Sequence, residues 1–478
     1  MQSLNRRLWL EKIACGFGSM ALAGLLPASM TVSAGETVAH QMMSAGPKPP
    51  MFPARAKRVI FLFMQGGPSQ VDTMEYKPLL EKRHGEKDHF RNSRKIANTG
   101  MSGEETIMKP LWPFRQYGEC GRWISDIFPH LAKRVDDLCF LHGMQTEGVA
   151  HGPSTLFLHT GANNLIRPSM GSWITYGLGS ENCNVPGFVT ICPSAANGGP
   201  RNYSNAFLPA SYQGTAIGRA GLPTRDVKIG HIDNPRRDVE TQRKQFELIR
   251  AMNQAQAPAG NDAEVNALIG SYELAWRMQS HAPELMDLSG ESRAIFDLYG
   301  IDEKPTDDFG RQCLMARRMA EAGVRFIQVN YADNSSNPRW DQHGNMPKHA
   351  EHAKAVDKPI AGLLMDLKQR GLLEDTLVWW GGEFGRNPFS QGSDGRDHNP
   401  RGFTHFLAGA GVKPGFAYGA TDEFGHEAVE GRVHMRDLHA TILHLLGIDH
   451  ERLTYRYAGR DFRLTDVEGT VVKEILTT

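Results

Sequence analysis

Three short clusters between positions 340 and 400 combine carboxylate, imidazole and guanidinium side chains. The clusters are Trp340-Asp341-Gln342-His343-Gly344, Gly382-Glu383-Phe384-Gly385-Arg386 and Arg396-Asp397-His398-Asn399-Pro400. Asp and Glu offer hard oxygen ligands and neutral His offers nitrogen, which is a suitable donor set for Zn²⁺ or Mn²⁺. If folding brings the clusters together, they predict a site for one or two divalent ions.

The elements that would position these clusters are strands of a sheet. The continuous apolar run 59–64 is typical of a strand buried on both faces, and it ends at the turn Gly66-Gly67-Pro68. Further candidate strands are 138–141, 324–329 and 377–380, and helical patterns at 311–321 and 360–369 precede the last two. Helix followed by strand, repeated, predicts an α/β fold with a mainly parallel sheet.

The candidate site residues follow the candidate strands closely. Gly66, Asp341 and Glu383 each come shortly after such a strand. In parallel α/β sheets, ligands bind outside the carboxyl ends of the strands. The sequence therefore predicts that the clusters meet at that edge.

The domain organisation is one large elaborated unit or two lobes, because 478 residues exceed the usual size of a single core. The stretch 198–259 is irregular and polar, with frequent Gly, Asn, Pro and Arg. We interpret it as an insertion packed over the sheet within a domain spanning 57–478. The insertion would shape specificity or form a dimer contact.

Composition is that of an ordinary globular protein, with 40% apolar and 22% charged residues. Lys plus Arg and Asp plus Glu number 53 each, so net charge gives no attraction to nucleic acid or an anionic membrane. The six cysteines are scattered and indicate neither a disulfide framework nor a zinc finger. A local bridge between Cys183 and Cys192 and buried free thiols both remain open.

The N-terminal region has the pattern of an export signal. Arg6-Arg7 precedes a weakly apolar run at 13–26, and Val32-Ser33-Ala34 offers small residues for cleavage. This predicts a twin-arginine signal over 1–34, followed by a linker over 35–56, and makes the twin-arginine translocase a partner. The run is shorter than the roughly 20 residues that span a bilayer, so we expect a periplasmic or extracellular protein without stable membrane insertion.

Several motifs resemble a family of secreted bacterial proteins known as domain of unknown function 1501. They are Gln65-Gly66-Gly67-Pro68-Ser69, Pro168-Ser169-Met170-Gly171-Ser172-Trp173, the cluster at 340–344, Gly381-Gly382-Glu383-Phe384-Gly385-Arg386 and Gly395-Arg396-Asp397-His398-Asn399-Pro400. More distantly, the order of pieces is similar to that of the alkaline phosphatase and sulfatase superfamily. There, the stretch 151–161 resembles the segment that begins with the sulfatase nucleophile. The stretches 375–383, 405–415 and 436–443 resemble later segments in order. This resemblance implies an alkaline-phosphatase-like core.

The resemblance also implies roles for individual residues. Asp341, His343 and His398 correspond to the ligands of one metal position, and His151 and Glu383 to the other. With imidazoles among the ligands, Zn²⁺ or Mn²⁺ is favoured over the Ca²⁺ of typical sulfatases.

Departures from the superfamily fall on catalytic positions. His151 stands where a Cys, Ser or Thr nucleophile is expected, and Gln65 or Gly66 replaces a metal-binding Asp, for which Asp72 is a weak substitute. We interpret His151 as a ligand, with a nucleophilic role and the hydroxyl of Ser154 left as alternatives.

Three other sets of residues have candidate or structural roles. Arg386 could hold an anionic oxygen through its planar guanidinium. Asp397 would orient a neighbouring imidazole. His439 and His444 are interpreted as structural.

The function predicted on this basis is metal-dependent hydrolysis of a phosphate or sulfate ester, small or linked to a polysaccharide. The first alternative is a non-catalytic binding protein for sulfated or phosphorylated glycans, because the expected nucleophile is replaced. A third alternative, metal-dependent phosphoryl transfer or isomerisation, would use the same ligands. A fold alone does not decide among these reactions.

Overall fold

A nine-stranded sheet forms the centre of the computed structural model, which describes residues 46–229, 236–256 and 263–477. In chain order its strands are β1 (Arg58–Met64), β2 (Leu138–Gln145), β3 (Phe188–Ile191), β4 (Thr215–Ile217), β5 (Phe326–Tyr331), β6 (Thr376–Gly381), β7 (Phe403–Ala408), β8 (Phe416–Tyr418) and β9 (Val433–His434). All seven residues of β1 are buried, as expected for a central strand covered on both faces.

The strand order is β8-β2-β7-β6-β1-β5-β3-β4, with β9 also paired to β2. Strand β7 is antiparallel to both of its neighbours, and the other pairings in the sheet are parallel. The predicted α/β class with a mainly parallel sheet flanked by helices is therefore confirmed. The four predicted strands are β1, β2, β5 and β6.

Helices flank the sheet and fill its connections. They are α1 (Gln70–Thr73), α2 (Pro78–Lys82), α3 (Ser93–Thr99), α4 (His151–Thr160), α5 (Met170–Leu178), α6 (Val239–Gln256), α7 (Ala263–Met286), α8 (Arg293–Tyr299), α9 (Asp307–Glu321), α10 (Lys348–Gln369) and α11 (Met435–Leu445). Short 3₁₀ helices lie at Leu131–Asp137, Gly199–Tyr203, Ala210–Tyr212, Thr224–Asp226, Leu372–Glu374 and Lys473–Ile475. The two helices predicted before β5 and β6 are α9 and α10.

The core has two halves, one on each face of the sheet. Alternating residues of β1 point to opposite faces, so Ile60 and Leu62 pack with α9 and α10, whereas Phe61 and Phe63 pack with α4, α5 and α11. Helices on both faces keep the strands dry and rigid. The residues that follow the strands are therefore held at fixed positions.

The strand ends are level at the edge that carries the candidate clusters. Phe63 of β1 lies beside Asn330 of β5 and Gly381 of β6, so three chain segments leave the sheet at one height. Strand β7 runs the other way and begins beside the end of β2, where Phe403 pairs with Met144. The segment before β7 thus reaches the same edge as the segments after β1, β2, β5 and β6.

Smaller pairs of strands surround the sheet. They are Lys87–Phe90 with Gly103–Thr106, Phe114–Tyr117 with Arg122–Ser125, Gly385–Arg386 with His398–Asn399, Ala420–Thr421 with Ala428–Glu430, and Tyr455–Tyr457 with Arg460–Phe462. The third pair joins two of the candidate clusters directly, since Arg386 pairs with His398.

The stretch predicted as an insertion at 198–259 contains β4, the edge strand that pairs in parallel with β3. This part of the stretch therefore extends the main sheet. Cys183 and Cys192, considered above as a disulfide, are both free.

The predicted export signal at 1–34 and the first part of the linker lie outside the described residues. Within the described ranges, the structure has no helix with the length and apolar character needed to cross a membrane.

Gly66 links β1 to the loop that carries Asp341. Its φ is +112°, and a Cβ there would lie 2.7 Å from the Trp340 nitrogen and 2.8 Å from the Asp341 nitrogen. Real Cβ atoms do not approach backbone this closely. Glycine is therefore required both for the backbone conformation and for the contact between the two loops.

We predict that Gly66→Ala lowers the melting temperature strongly and displaces the Asp341 loop, because strain of about 1–3 kcal/mol adds to the backbone clash. Thermal unfolding followed by circular dichroism measures this effect. Gly371→Ala is the matched control, since Gly371 has a φ of +70° and a Cβ added there would meet no atom within 4 Å. It should cost only about 1 kcal/mol, and equal losses in the two variants would contradict the close-contact account.

Candidate metal centre

The carboxylate of Asp341 lies among three imidazoles and one guanidinium. Its Oδ1 is 2.9 Å from His343 Nε2, 3.1 Å from His398 Nε2 and 2.8 Å from Arg386 Nη2. Its Oδ2 is 3.1 Å from His151 Nε2. Burial raises the pKa of Asp341, but these contacts outweigh burial and hold the pKa well below its usual range. Asp341 is therefore a carboxylate anion.

Each of the three imidazoles is held at Nδ1 by a different acceptor. His151 Nδ1 lies 2.6 Å from Glu383 Oε1, and His398 Nδ1 lies 2.7 Å from the Val149 carbonyl oxygen. His343 Nδ1 contacts the side-chain oxygen of Gln391. Without a metal, an Nε2–H can donate to Asp341. With Nδ1–H donated to these acceptors, each Nε2 instead has a lone pair for a metal beside Asp341. This is the arrangement by which proteins orient metal-binding histidines.

The environment of His398 favours a cation between its imidazole and Asp341. Burial lowers the pKa of His398 to about 3, so the ring is neutral and carries one N–H. Both of its nitrogens face oxygen acceptors, the Val149 carbonyl and Asp341. One N–H cannot satisfy two acceptors, and a cation between Nε2 and the carboxylate would remove the conflict.

His151 also lies between two oxygen acceptors, but the pKa of its imidazole shifts in the opposite direction. Burial lowers the pKa of His151, but hydrogen bonding to Asp341 and Glu383 outweighs burial and the net shift is upward. Its Nε2 is buried and has no well-aligned hydrogen bond, although it lies 3.1 Å from Asp341 Oδ2. The lone pair or proton on this nitrogen is thus available to the centre of the cluster.

His151, Asp341, His343 and His398 can together hold a divalent metal. One ligand atom from each lies within 4.8 Å of the others, and three of the four residues are buried. The resemblance implied two metal positions, one for His151 and one for the other three residues, whereas the structure brings all four around one point.

Glu383, predicted as a ligand, lies behind His151. It is fully buried, and both of its carboxylate oxygens are 3.0 Å from the Gly66 nitrogen. Its Oε1 also receives His151 Nδ1–H. In this position Glu383 orients the imidazole and fixes the loop after β1.

Arg386, predicted to hold a substrate anion, has no exposed surface. Its guanidinium donates to Asp341 and to the carbonyl oxygens of Gly66, Gly67, Trp340 and Arg396. These bonds tie together the loops after β1, β5 and β6. The guanidinium positions Asp341 and does not reach solvent.

Ser154 and Asp72 do not belong to the four-residue cluster. Ser154 is one turn along α4 from His151, is fully buried, and its hydroxyl has no hydrogen-bond partner. Asp72 forms a buried ion pair with Arg396, at 2.6 Å from Nε, and accepts a hydrogen bond from the Leu111 nitrogen. Asp72 therefore stabilises the loop that carries His398 instead of offering a ligand.

The remaining candidates, Asp397, His439 and His444, lie outside the four-residue cluster. Asp397 Oδ1 accepts hydrogen bonds from the His398 nitrogen and Arg94 Nη1 and lies 3.5 Å from His343 Nδ1, which is an orienting position. His439 is buried and contacts the Leu158 carbonyl, and His444 packs against Phe52. Both of these histidines are structural.

Arg94, Lys95 and Gln391, which no sequence motif singled out, lie beside the most exposed part of the cluster. His343 is the most exposed of the four, and Gln391 and Asp397 beside it line a cavity of about 430 Å³ together with Arg94 and Lys95. Arg94 Nη1 lies 3.1 Å from His343 Nε2. Neither Arg94, in a polar stretch far from the motifs, nor Gln391, in a turn between two of them, gives a sequence signal.

We predict that Glu383→Gln weakens divalent metal binding about 10–100-fold, because the orienting carboxylate of His151 becomes a neutral amide. Competition with a chromophoric chelator measures the affinity in chelator-stripped protein. Glu374→Gln, at an exposed residue of the short 3₁₀ helix before β6, is the matched control and should bind metal like the parent. Unchanged affinity in Glu383→Gln would contradict the orienting role.

Solved structures to which the chain is distantly similar include three proteins. They are the lipoteichoic acid synthase LtaP from Listeria monocytogenes (10% identity, TM-score 0.38, covering 90% of this chain and 80% of that chain), PsFucS1 sulfatase from Pseudoalteromonas sp. (11%, 0.35, 82% and 68%) and alkaline phosphatase from the Antarctic bacterium TAB5 (12%, 0.32, 84% and 99%). With TM-scores below 0.5, these similarities carry no argument about function.

None of the curated proteins matches the chain. A family model described as "Protein of unknown function (DUF1501)" matches residues 56–476, which covers both halves of the core and every residue of the candidate metal centre. The chain belongs to this family, DUF1501.

Proposed function

We propose that the protein is an exported, metal-dependent hydrolase of phosphate or sulfate esters. The observation that carries this proposal is the convergence of three Nε2 atoms on one carboxylate, each imidazole fixed at Nδ1 by its own acceptor. A purely structural network would not need three oriented imidazoles with their Nε2 atoms turned to one point. The arrangement is preorganised for a cation.

The donor set favours Zn²⁺ or Mn²⁺ as the ion. His151, His343 and His398 would supply nitrogen and Asp341 oxygen, whereas Ca²⁺ prefers a shell of oxygens. A divalent ion at such a site acts as a Lewis acid towards a phosphoryl or sulfuryl oxygen and acidifies water. Arg386 and Glu383 would keep the ligands in place without touching the substrate.

An anionic ester would find donors on the open side of the cluster. The Arg94 side chain is 38% exposed and lies against His343 and Asp397, so its remaining N–H groups can reach an oxygen in the cavity. Helix α4 begins at His151 without a side-chain cap, and a Cβ at Gly152 would meet no atom within 4 Å. The first turn of α4 is therefore open at Gly152, and an uncapped helix N-terminus favours negative charge.

Hydrolysis at this centre would use water as the nucleophile. His151 is engaged on both sides, with Nδ1 towards Glu383 and Nε2 towards Asp341. Ser154 is fully buried. The water would attack the phosphorus or sulfur of an ester whose oxygens are held by Arg94 and the α4 N-terminus, and the alcohol would leave into the cavity.

The second candidate function is a binding protein for sulfated or phosphorylated glycans. The observation that favours it is the burial of Ser154, since this hydroxyl is the alternative nucleophile predicted near His151. A protein of this kind would use the same cavity and cation to hold the ester without turning it over.

Export by the twin-arginine translocase is part of the proposal. Its support is the sequence Arg6-Arg7 before a short, weakly apolar run and the small residues at 32–34. Since that route carries folded proteins, the metal would be loaded before export to a periplasmic or extracellular location.

The proposal predicts that the full chain, loaded with Zn²⁺ or Mn²⁺, hydrolyses at least one member of a panel of aryl phosphate and aryl sulfate esters. Chelation should abolish the activity and the metal should restore it. A chromogenic release assay measures both. Saturable ester binding without turnover in the metal-loaded protein would contradict hydrolysis and favour the binding protein.

Two variants test the proposed anion contact in the same assay. Arg94→Met should raise KM about tenfold with a smaller effect on kcat, because it removes a charge-assisted hydrogen bond of about 1.5 kcal/mol. Arg91→Met, at an exposed arginine on the same segment that does not line the cavity, is the control and should leave both constants unchanged. An equal kcat/KM in the two variants would contradict the proposed contact between Arg94 and the substrate.

A further inference from the structure

A second cavity, of about 90 Å³, lies at the C-terminal end of α4, beside the loop 161–169 that leads to α5. A water molecule takes up about 30 Å³ in the liquid, so the cavity admits a ligand about the size of three waters. It shares none of its lining residues with the metal cluster. Helix α4 also separates the two, because His151 begins the helix and Thr160, about 14 Å further along its axis, lines the cavity.

Arg167, in this loop, brings to the cavity a positive charge that has no carboxylate partner. Within the described residues, its guanidinium forms no ion pair and no hydrogen bond. Its Cζ lies 4.2 Å from the centroid of the Phe462 ring, which holds the guanidinium in place and leaves its N–H groups available. Burial lowers the pKa of Arg167. The positive charges of Arg460 and Arg436 lower it further, whereas Asp466 raises it.

The other charged residues of the lining already have partners of opposite charge. The pairs are Arg436 with Glu147 and Glu468, Arg463 with Glu451, and Asp466 with Arg460. The acidic partners of Arg436 and Arg463 do not line the cavity, so the lining itself holds three guanidiniums and one carboxylate. Among the described lining residues, Arg167 alone lacks an opposite charge. It is therefore the group that an anion would bind.

Trp173, on α5, adds a second donor without a partner. The residue lines the cavity and is 1% exposed. Its indole Nε1 makes no hydrogen bond with the described residues, yet it is not closed off from solvent as the indole nitrogens of Trp340 and Trp380 are. A buried indole N–H usually has an acceptor, and an indole nitrogen can only donate. We therefore expect a ligand with an acceptor atom beside Trp173.

The loop supplies further donors. The side-chain amides of Asn163 and Asn164 line the cavity, and in the described part of the chain neither amide makes a hydrogen bond. A cation would be repelled by Arg167, and a neutral hydroxyl compound would leave that charge without compensation. The oxygens of a phosphate or sulfate only accept hydrogen bonds and point in several directions. Such a group can accept from Arg167, Trp173 and the amides together and supply the missing negative charge.

We propose that this cavity binds one phosphate or sulfate group. Arg167 would hold oxygens of the group through its planar guanidinium, and Trp173 Nε1–H would donate to another oxygen. The group is either a free ion or one end of a larger molecule, and the two sources share this chemistry. The inference does not depend on the proposed hydrolysis, because neither the metal nor its ligands take part.

The test is isothermal titration calorimetry of the chelator-stripped full chain with inorganic sulfate and inorganic phosphate at constant ionic strength. At least one ion should bind saturably. Arg167→Met should weaken that binding about tenfold or more, because charge-assisted hydrogen bonds are lost. Trp173→Phe, which keeps an aromatic ring and removes the N–H, should weaken it about threefold to tenfold.

Two further variants serve as controls. Arg456→Met, at an exposed arginine of the hairpin that carries Phe462, lies outside the lining and should bind the ion like the parent. His343→Ala removes a residue of the metal cluster and should also bind like the parent. Arg167 is only partly buried, so its variant tests the site even if Trp173→Phe fails to fold.

Methyl sulfate and methyl phosphate, titrated into His343→Ala, separate the two sources of the group. Affinity equal to that of the inorganic ion supports a group carried on a larger molecule. Affinity about tenfold weaker supports a site for the free ion.

The proposal is overturned if neither inorganic ion binds up to about 0.1 M. It is overturned equally if Arg167→Met binds as tightly as the parent, or if Arg456→Met loses as much affinity as Arg167→Met. Loss of binding in His343→Ala would place the ion at the metal cluster, and acetate binding tighter than both ions would make this a carboxylate site. Either result contradicts the inference. Loss of ester hydrolysis with anion binding intact would leave it standing.

Discussion

The carboxylate of Asp341 is the interaction on which the rest of the site depends. A buried anion is costly unless it is paired and hydrogen-bonded, and Arg386 together with three imidazoles supplies that compensation. The compensation is incomplete without a cation, because the neutral His398 turns an acceptor lone pair towards an acceptor oxygen. The need to compensate the buried charge of Asp341 thus accounts for the oriented imidazoles and for the proposed metal.

The fold brings the site residues together because neighbouring strands end at the same height and because strand β7 is antiparallel to its neighbours. Strands β1, β5 and β6 deliver Gly66, Asp341 and Glu383 to one edge, and α4 begins there with His151. Because β7 is antiparallel, the segment before it, which carries His398, reaches the same edge. Arg386 then ties the loops together from beneath, so the geometry of the ligands is set by backbone that is buried and rigid. The open side, next to His343 and Arg94, is left for a substrate.

Much of this arrangement was predictable from local sequence. Continuous apolar runs identified β1, β2, β5 and β6, because strands buried on both faces leave little ambiguity, and three motifs identified the residues around Asp341. The roles of Glu383 and Arg386 were not predictable. A glutamate that orients an imidazole and a glutamate that binds a metal can stand in the same local sequence. The ion pair of Asp72 with Arg396 joins residues 324 positions apart, and no local pattern reports such a pairing. Edge strand β4 was missed because its three residues lie in a polar, irregular stretch.

Elemental analysis of the purified full chain tests the central claim most directly. The account predicts about one equivalent of Zn or Mn per chain, lost in both His343→Ala and His398→Ala and retained in His444→Ala, whose imidazole packs against Phe52 far from the cluster in sequence. A folded protein without stoichiometric metal, both after purification free of chelator and after reconstitution, would contradict the metal centre. The four residues would then be a hydrogen-bonded network around a buried carboxylate.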